Sequence, residues 1–158
     1  MDAAVAQAEL GLAAGELPIG AVLTLDGMVV ARAFWRYQRN ELLAHPELLV
    51  LVEAERNHDL SGRRRDLTLY TTLEPCLMCM AAAMFSFCGR VVFALESPTD
   101  GASGIAETWN PAAGAEAPYA VPEVTGGLRR AEAAELVRTF LARQPDGPMA
   151  RWARALVG

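Results

Sequence analysis

The chain has 158 residues, 53% apolar and 21% charged, and its fourteen basic and nineteen acidic side chains leave a formal net charge of -5. That length suits a single domain over residues 1–158, with a core that needs neither disulfides nor a structural metal. No apolar run approaches the roughly 20 residues of a membrane-spanning helix, and the acidic balance disfavours the phosphate backbone of nucleic acid as a partner.

The opening MDAAVAQAEL has neither the basic start nor the long apolar stretch of an export signal, so a cytoplasmic location is expected. Asp2 to Ala14 is alanine-rich and reads as a helix, with Gly15 as its stop and Pro18 as a further break. Ile19 to Leu25 and Met28 to Phe34 are apolar runs separated by Asp26-Gly27, a dipeptide that favours a tight hairpin turn. Two antiparallel strands follow. From Pro46 to about Asn57, apolar residues at 48, 49, 51 and 52 alternate with charges at 53, 55 and 56, as on a helix.

Asp66 to Leu73 reads as a strand, and Pro75 opens an apolar stretch to Phe87 that reads as a buried helix. Arg90 to Leu95 is a short buried strand. Ser97 to Ala120, rich in Gly, Ala and Pro, reads as a loop whose length suggests function or mobility. Val121 to Val124 forms a last strand, Arg130 to Arg143 an amphipathic helix and Pro148 to Val157 a short terminal one. This order predicts an α/β fold, a sheet covered by helices on both faces, with the helices over 130–157 on the same domain. The basic runs Arg63-Arg64-Arg65 and Arg129-Arg130 read as solvated surface.

The chemistry concentrates in His45-Pro46-Glu47 and Pro75-Cys76-Leu77-Met78-Cys79. His45, Cys76 and Cys79 are three zinc ligands by type. A catalytic zinc keeps three protein ligands and an open position, whereas a structural one normally takes four. Cys76 and Cys79, three apart, share a helix face at the positive end of the helix dipole, which favours thiolate. Inside a helix, His45 and Glu47 would point about 200° apart. Proline favours the first helical position, so Pro46 leaves His45 outside the spiral and lets both side chains face one pocket. Glu47 is then a carboxylate free to move protons.

Other readings of these residues remain: a structural zinc closed by Cys88 or His58, or a redox dithiol at Cys76 and Cys79. Cys88 is otherwise a small core residue, and His58 a surface one.

In this pattern the chain resembles the zinc-dependent cytidine and deoxycytidylate deaminase superfamily, whose signature is H-x-E with P-C-x-x-C. The branch it most resembles contains bacterial tRNA adenosine deaminases and guanine deaminases. The resemblance runs from about Ala6 to Gly104, through Leu17-Pro18-Ile19-Gly20-Ala21-Val22, Leu73-Glu74-Pro75-Cys76-Leu77-Met78-Cys79 and Gly89-Arg90-Val91-Val92-Phe93.

It implies a three-layer α-β-α fold with a mixed five-stranded sheet. It also implies Zn2+ held by His45, Cys76 and Cys79, Glu47 as catalytic base and then acid, hydrolytic replacement of an exocyclic amine by oxygen, and a homodimer. A catalytically silent binding subunit is a further reading, set against the presence of Glu47.

Two departures bear on substrate. Relatives commonly carry alanine or glycine between the His and Glu, whose backbone N–H can bond the base, and Pro46 has none. Many also carry an asparagine about eleven residues before the histidine, where this chain has Ala33-Phe34-Trp35. The segment Glu96-Ser97-Pro98-Thr99-Asp100-Gly101 lacks the acidic residue that tRNA-acting relatives place near Ser97, and the C-terminal helix lacks a basic cluster. These features predict a small nucleobase or nucleoside substrate, modified or analogue bases included, touched by Phe34, Trp35, Glu74 and Trp109. A tRNA-specific adenosine-to-inosine deaminase is the alternative.

Overall fold

The computed structural model describes residues 1–36, 42–109 and 118–158. Helix α1 (Asp2–Ala13) leads into the hairpin of β1 (Gly20–Leu25) and β2 (Met28–Phe34), followed by α2 (Pro46–Asn57), β3 (Leu67–Leu73), α3 (Leu77–Phe85) and β4 (Arg90–Leu95). The single turn α4 (Ile105–Thr108), β5 (Glu123–Thr125), α5 (Arg130–Arg143) and α6 (Pro148–Arg154) complete the chain.

The strands form one five-stranded sheet in the order β2-β1-β3-β4-β5. β1 is antiparallel to both neighbours, whereas β3, β4 and β5 run parallel. This is the mixed sheet of an α/β fold. Every residue of the interior strand β1 is buried, which explains its near-continuous apolar run. The two-residue turn at Asp26 (φ 53°) and Gly27 (φ 77°) has both residues left-handed, the geometry that matches strand twist in a tight hairpin. Gly15, also left-handed at φ 78°, closes α1.

Strand alternation divides the core into two layers. Ala21, Leu23 and Leu25 of β1, with Leu67 and Leu69 of β3, pack with Val50, Leu51 and Ala54 of α2 and Met80 and Met84 of α3. On the other side, Ala94 and Leu95 of β4 join Ala133, Val137 and Phe140 of α5 and Ala153 of α6. α1 lies against β1, β2 and α5. Among the described residues no helix is long and apolar enough to cross a membrane.

Most element boundaries fall within two residues of expectation, and the exceptions have physical causes. Pro75 precedes α3 rather than opening it, and Cys76 is the N-cap in extended conformation (φ −68°, ψ 172°). α3 stops at Phe85 because Phe87 turns left-handed (φ 57°) to start the approach to β4. A 3₁₀ turn at Arg64–Asp66 and α4 were unforeseen, since single turns carry too few residues for a periodic signal. β5 is three residues at the sheet edge, displaced from Val121–Val124 to Glu123–Thr125 by its pairing with Arg90–Val92. α6 ends at Arg154, short of Val157. Of the loop expected over 97–120, residues 110–117 lie outside the described part.

The basic runs are neither free nor merely solvated. Arg63 pairs with Asp26, Arg64 with Glu55 at 2.7 Å, and Arg65 donates to the carbonyls of Cys88 and Val121 at 3.3 and 3.2 Å. Arg129 meets Asp2 at 2.7 Å and Glu132 at 3.0 Å, and Arg130 pairs with Glu96.

Gly20 is required by close approach. A Cβ there would lie 2.3 Å from the Ala8 nitrogen and 2.4 Å from the Ala4 carbonyl oxygen, backbone atoms of α1 that cannot step aside. Gly20→Ala should therefore push α1 off the sheet, lowering stability by about 1–3 kcal/mol or more, read as a lower urea midpoint.

Candidate active site

Two helix starts meet at the carboxyl end of β3. The residue before a proline is steered to extended backbone, and His45, the N-cap of α2, sits at φ −66°, ψ 135° ahead of Pro46. One step into the helix, Glu47 turns inward. From the start of α3, Cys76 and Cys79 reach the same point, so that the three ligand atoms of His45, Cys76 and Cys79 lie within 4.8 Å of one another.

The spacing fits zinc. A tetrahedral ion with bonds of about 2.3 Å to sulfur and about 2.0 Å to nitrogen sets neighbouring ligand atoms roughly 3.5–3.8 Å apart. The Cys76 and Cys79 sulfurs are 3.7 Å apart, and Cys76 Sγ is 3.6 Å from His45 Nδ1. Cys88 and His58 do not join this cluster. Cys88 is buried with its thiol directed to the carbonyls of Leu67 and Arg90, and His58 Nε2 lies 3.3 Å from the Val30 carbonyl. Among the described residues the group therefore offers three ligands and no fourth cysteine or histidine.

The electrostatics suit an ion. Cys76 is held down to about 4, first by the hydrogen bond from Cys79 and then by His45, which also works against its partial burial. Cys79 is pushed up as the proton donor in that bond, and by burial and Glu47. For His45, burial opposes the charged form, but the hydrogen bond and charge of Cys76, with Glu47 and Asp100, outweigh it and raise the pKa. The donor set shares protons that a cation would displace.

Glu47 is 3% exposed, and burial raises its pKa, opposed by the hydrogen bond from Thr71 Oγ1 to Oε1 at 2.5 Å. The other oxygen, Oε2, lies 3.5 Å from Cys79 Sγ. Thr71 stands on β3 directly after Leu67 and Leu69 in the alternation that faces α2, so the sheet aims its hydroxyl at the carboxylate. A carboxyl with a raised pKa, oriented by one donor, is suited to taking and returning a proton.

These groups line a cavity of about 270 Å³, with walls from Leu17, Ile19, Trp35, Leu42 and Leu73, and from Met149 and Trp152 of α6. The expected substrate contacts separate here. Trp35 lines the cavity, its ring edge-on to His45 with centroids 4.3 Å apart. Glu74 also borders it, but its carboxylate is engaged: Oε2 accepts from Ser97 N–H at 3.0 Å, and Oε1 from Ser103 N–H at 3.1 Å and from its hydroxyl at 2.5 Å. Glu74 organises the 97–103 segment.

Phe34 is not among the lining residues. Alternation along β2 sends Ala33 toward α2 and Phe34 toward α1, where its ring borders Gly11 and carries the Arg36 guanidinium at 5.2 Å. Trp109 is 56% exposed, also away from the lining. Asp100, Met149 and Trp152 are pocket residues that the sequence reading missed. The available signal was the i, i+3 spacing of Met149 and Trp152 on the terminal helix.

Three ligand atoms beside one buried, uncoordinated carboxylate define the centre of a zinc hydrolase, open on one side to an apolar pocket. Residues 1–95 match the cytidine and deoxycytidylate deaminase zinc-binding region, and the chain therefore belongs to that family. It is a zinc-dependent hydrolytic deaminase.

A tRNA-specific adenosine deaminase of Agrobacterium fabrum is 37% identical over 146 residues, covering 89% of this chain and 90% of that protein. A solved tRNA:A34 deaminase superposes with a TM-score of 0.72 at 35% identity, covering 86% of this chain and 96% of the other. The guanine deaminase of Nitrosomonas europaea gives 0.65 at 25% identity, over 88% and 81%. The expectation against nucleic acid, drawn from net charge, runs counter to the first two. Net charge is a property of the whole surface and does not report a local contact.

Because both carboxylate oxygens of Glu74 accept from the 97–103 segment, Glu74→Ala should leave three buried or half-buried donors without an acceptor. The expected cost is about 1–3 kcal/mol in urea unfolding, with zinc content unchanged by elemental analysis.

Proposed function

We propose that the chain hydrolyses the 6-amino group of adenosine carried by tRNA, giving inosine and ammonia. The observation that supports this substrate is the identity of 37% across nine-tenths of the chain to a tRNA-specific adenosine deaminase, with a tRNA:A34 deaminase of the same fold. The sequence-based preference for a small base takes second place.

In this reading His45, Cys76 and Cys79 hold the zinc. Bound there, zinc lowers the pKa of water and so supplies the nucleophile. Glu47 accepts the released proton, keeps it inside a site screened from solvent, and delivers it to the ring nitrogen. Again a carboxylate, Glu47 takes the proton of the hydroxyl now bonded to the ring carbon and passes it to the amine, so that the C–N bond breaks, ammonia leaves and the carbonyl forms. Thr71 holds Glu47 Oε1 in place through this exchange, and Trp35 keeps water from the His45 edge. The work is cytoplasmic, where cysteine ligands stay reduced, and the protein acts as a homodimer. Exposed apolar side chains on and beside α3, Leu77, Phe85 and Phe87, are available to such a contact.

A free nucleobase or nucleoside, modified bases included, is the second reading, favoured by the cavity itself. Its volume of about 270 Å³ is below the usual range for a drug-sized ligand, and α6 walls it with Met149 and Trp152. Pro46 cannot donate a backbone hydrogen bond there, and Phe34 supplies no amide.

Incubation with tRNA, adenosine, adenine, guanine, cytosine and their nucleosides, with ammonia and inosine measured, separates the two. Conversion in tRNA far faster than in any small base is expected, and the reverse order establishes the second reading. Glu47→Ala should lower the rate by about 10²- to 10⁴-fold or more while stoichiometric zinc is retained. Zinc-free protein after purification under reducing conditions would overturn both.

Substituting Pro46→Ala restores a backbone donor at the base edge. It should raise kcat/KM on unmodified adenosine by about tenfold, since a ring acceptor left unpaired on desolvation costs about 1–3 kcal/mol.

A further inference from the structure

The outer wall of the cavity lies far along the chain from the zinc centre. The family match ends at residue 95, whereas Met149 and Trp152 border the same space as His45 and Glu47. Three apart on α6, they share a helix face. The adjoining face carries Ala150 and Ala153, 1% and 0% exposed, which sets the rotation of the helix against the rest of the fold. Arg151 and Arg154 are left on the outside.

Trp152 is also fixed in direction. Its indole Nε1–H donates to Thr99 Oγ1 at 3.0 Å. Thr99 belongs to the segment that Glu74 clamps at Ser97 and Ser103, and that pairs with Cys76 through Gly101. A half-buried ring with its N–H satisfied at one end and its body along an apolar cavity is oriented, as aromatic contact surfaces are. Met149, beside it, has the flexible side chain that adapts to ligand shape.

We propose that α6 is the specificity element of this deaminase: the Trp152 ring, held by Thr99, is the stacking surface for the substrate's planar aminated heterocycle, and Met149 sets how far the substrate extends past it. The proposal rests on the deaminase reading and is silent on whether the base arrives free or within RNA. Trp152 and Met149 touch the substrate, whereas Thr99 acts through Trp152 and is a positioning residue.

The test uses the full chain, zinc-loaded, in a Glu47→Ala background that prevents turnover, with Kd for adenine, adenosine, guanine and cytosine measured by equilibrium dialysis. Trp152→Ala should weaken the preferred base about 10- to 100-fold, the range of base stacking on an aromatic side chain, and Trp152→Phe should recover most of the loss. Thr99→Val should weaken binding several-fold with Trp152 present and have no effect when combined with Trp152→Phe. With Glu47 intact, the same changes should raise KM and leave kcat within about threefold.

With an adenosine-carrying tRNA added to the panel, unaltered Kd in Trp152→Ala, equal loss in the Phe and Ala variants, or no binding of either these bases or the tRNA by the parent overturns the proposal. Should Trp152→Ala fail to fold, the Phe and Thr99 variants decide by the same criteria. Failure of the deaminase reading looks different: bases bind and respond to Trp152, but the Glu47-containing protein releases no ammonia.

Discussion

The site depends on two helices beginning in the same place. α2 and α3 start at the carboxyl end of β3, each with an extended residue beside a proline, and the side chains at those starts leave the helices at angles a continuous spiral would forbid. His45 and Glu47 can face one point because His45 is an N-cap in extended backbone and Glu47 lies in the first turn. Cys76 and Cys79 can grip one ion because the former caps the helix and the latter lies a turn inside. Unsatisfied backbone amides at both starts favour the negative charge of thiolate and carboxylate.

That arrangement needs the sheet beneath it. β3 carries Thr71 to Glu47 on one face, and its end continues through Glu74 and Pro75 into Cys76, so the strand fixes both the buried carboxylate and the cysteine pair. Glu74 accepts hydrogen bonds from Ser97 and Ser103 immediately before the cysteine motif, and Gly101 pairs with Cys76 itself. The loop after β4 is thereby attached to the metal-binding helix, which turns a poorly patterned segment into part of the pocket.

Much of this was legible in the residues. The hairpin showed in Asp26-Gly27 and its two apolar runs, and the cluster of His45, Cys76 and Cys79 in residue types and spacing that few other arrangements use. What escaped has a common cause. The direction of Phe34 follows from sheet alternation, which requires knowing which face α1 covers. The occupation of Glu74 follows from a loop whose residues carry no periodicity. Trp152 came into the pocket through tertiary packing of α6 on α5, invisible to a local pattern. The charge argument has a different weakness: fourteen basic side chains were weighed as a sum, whereas contacts are made by individual groups.

The position of α6 has an implication for selectivity. Reactive groups reside in one stretch of the chain, and the aromatic surface opposite them is contributed by its tail, tethered through one threonine. If α6 sets specificity as proposed, changes to Met149 or Trp152 alter which molecules are admitted while the groups at His45, Glu47, Cys76 and Cys79 stay in place.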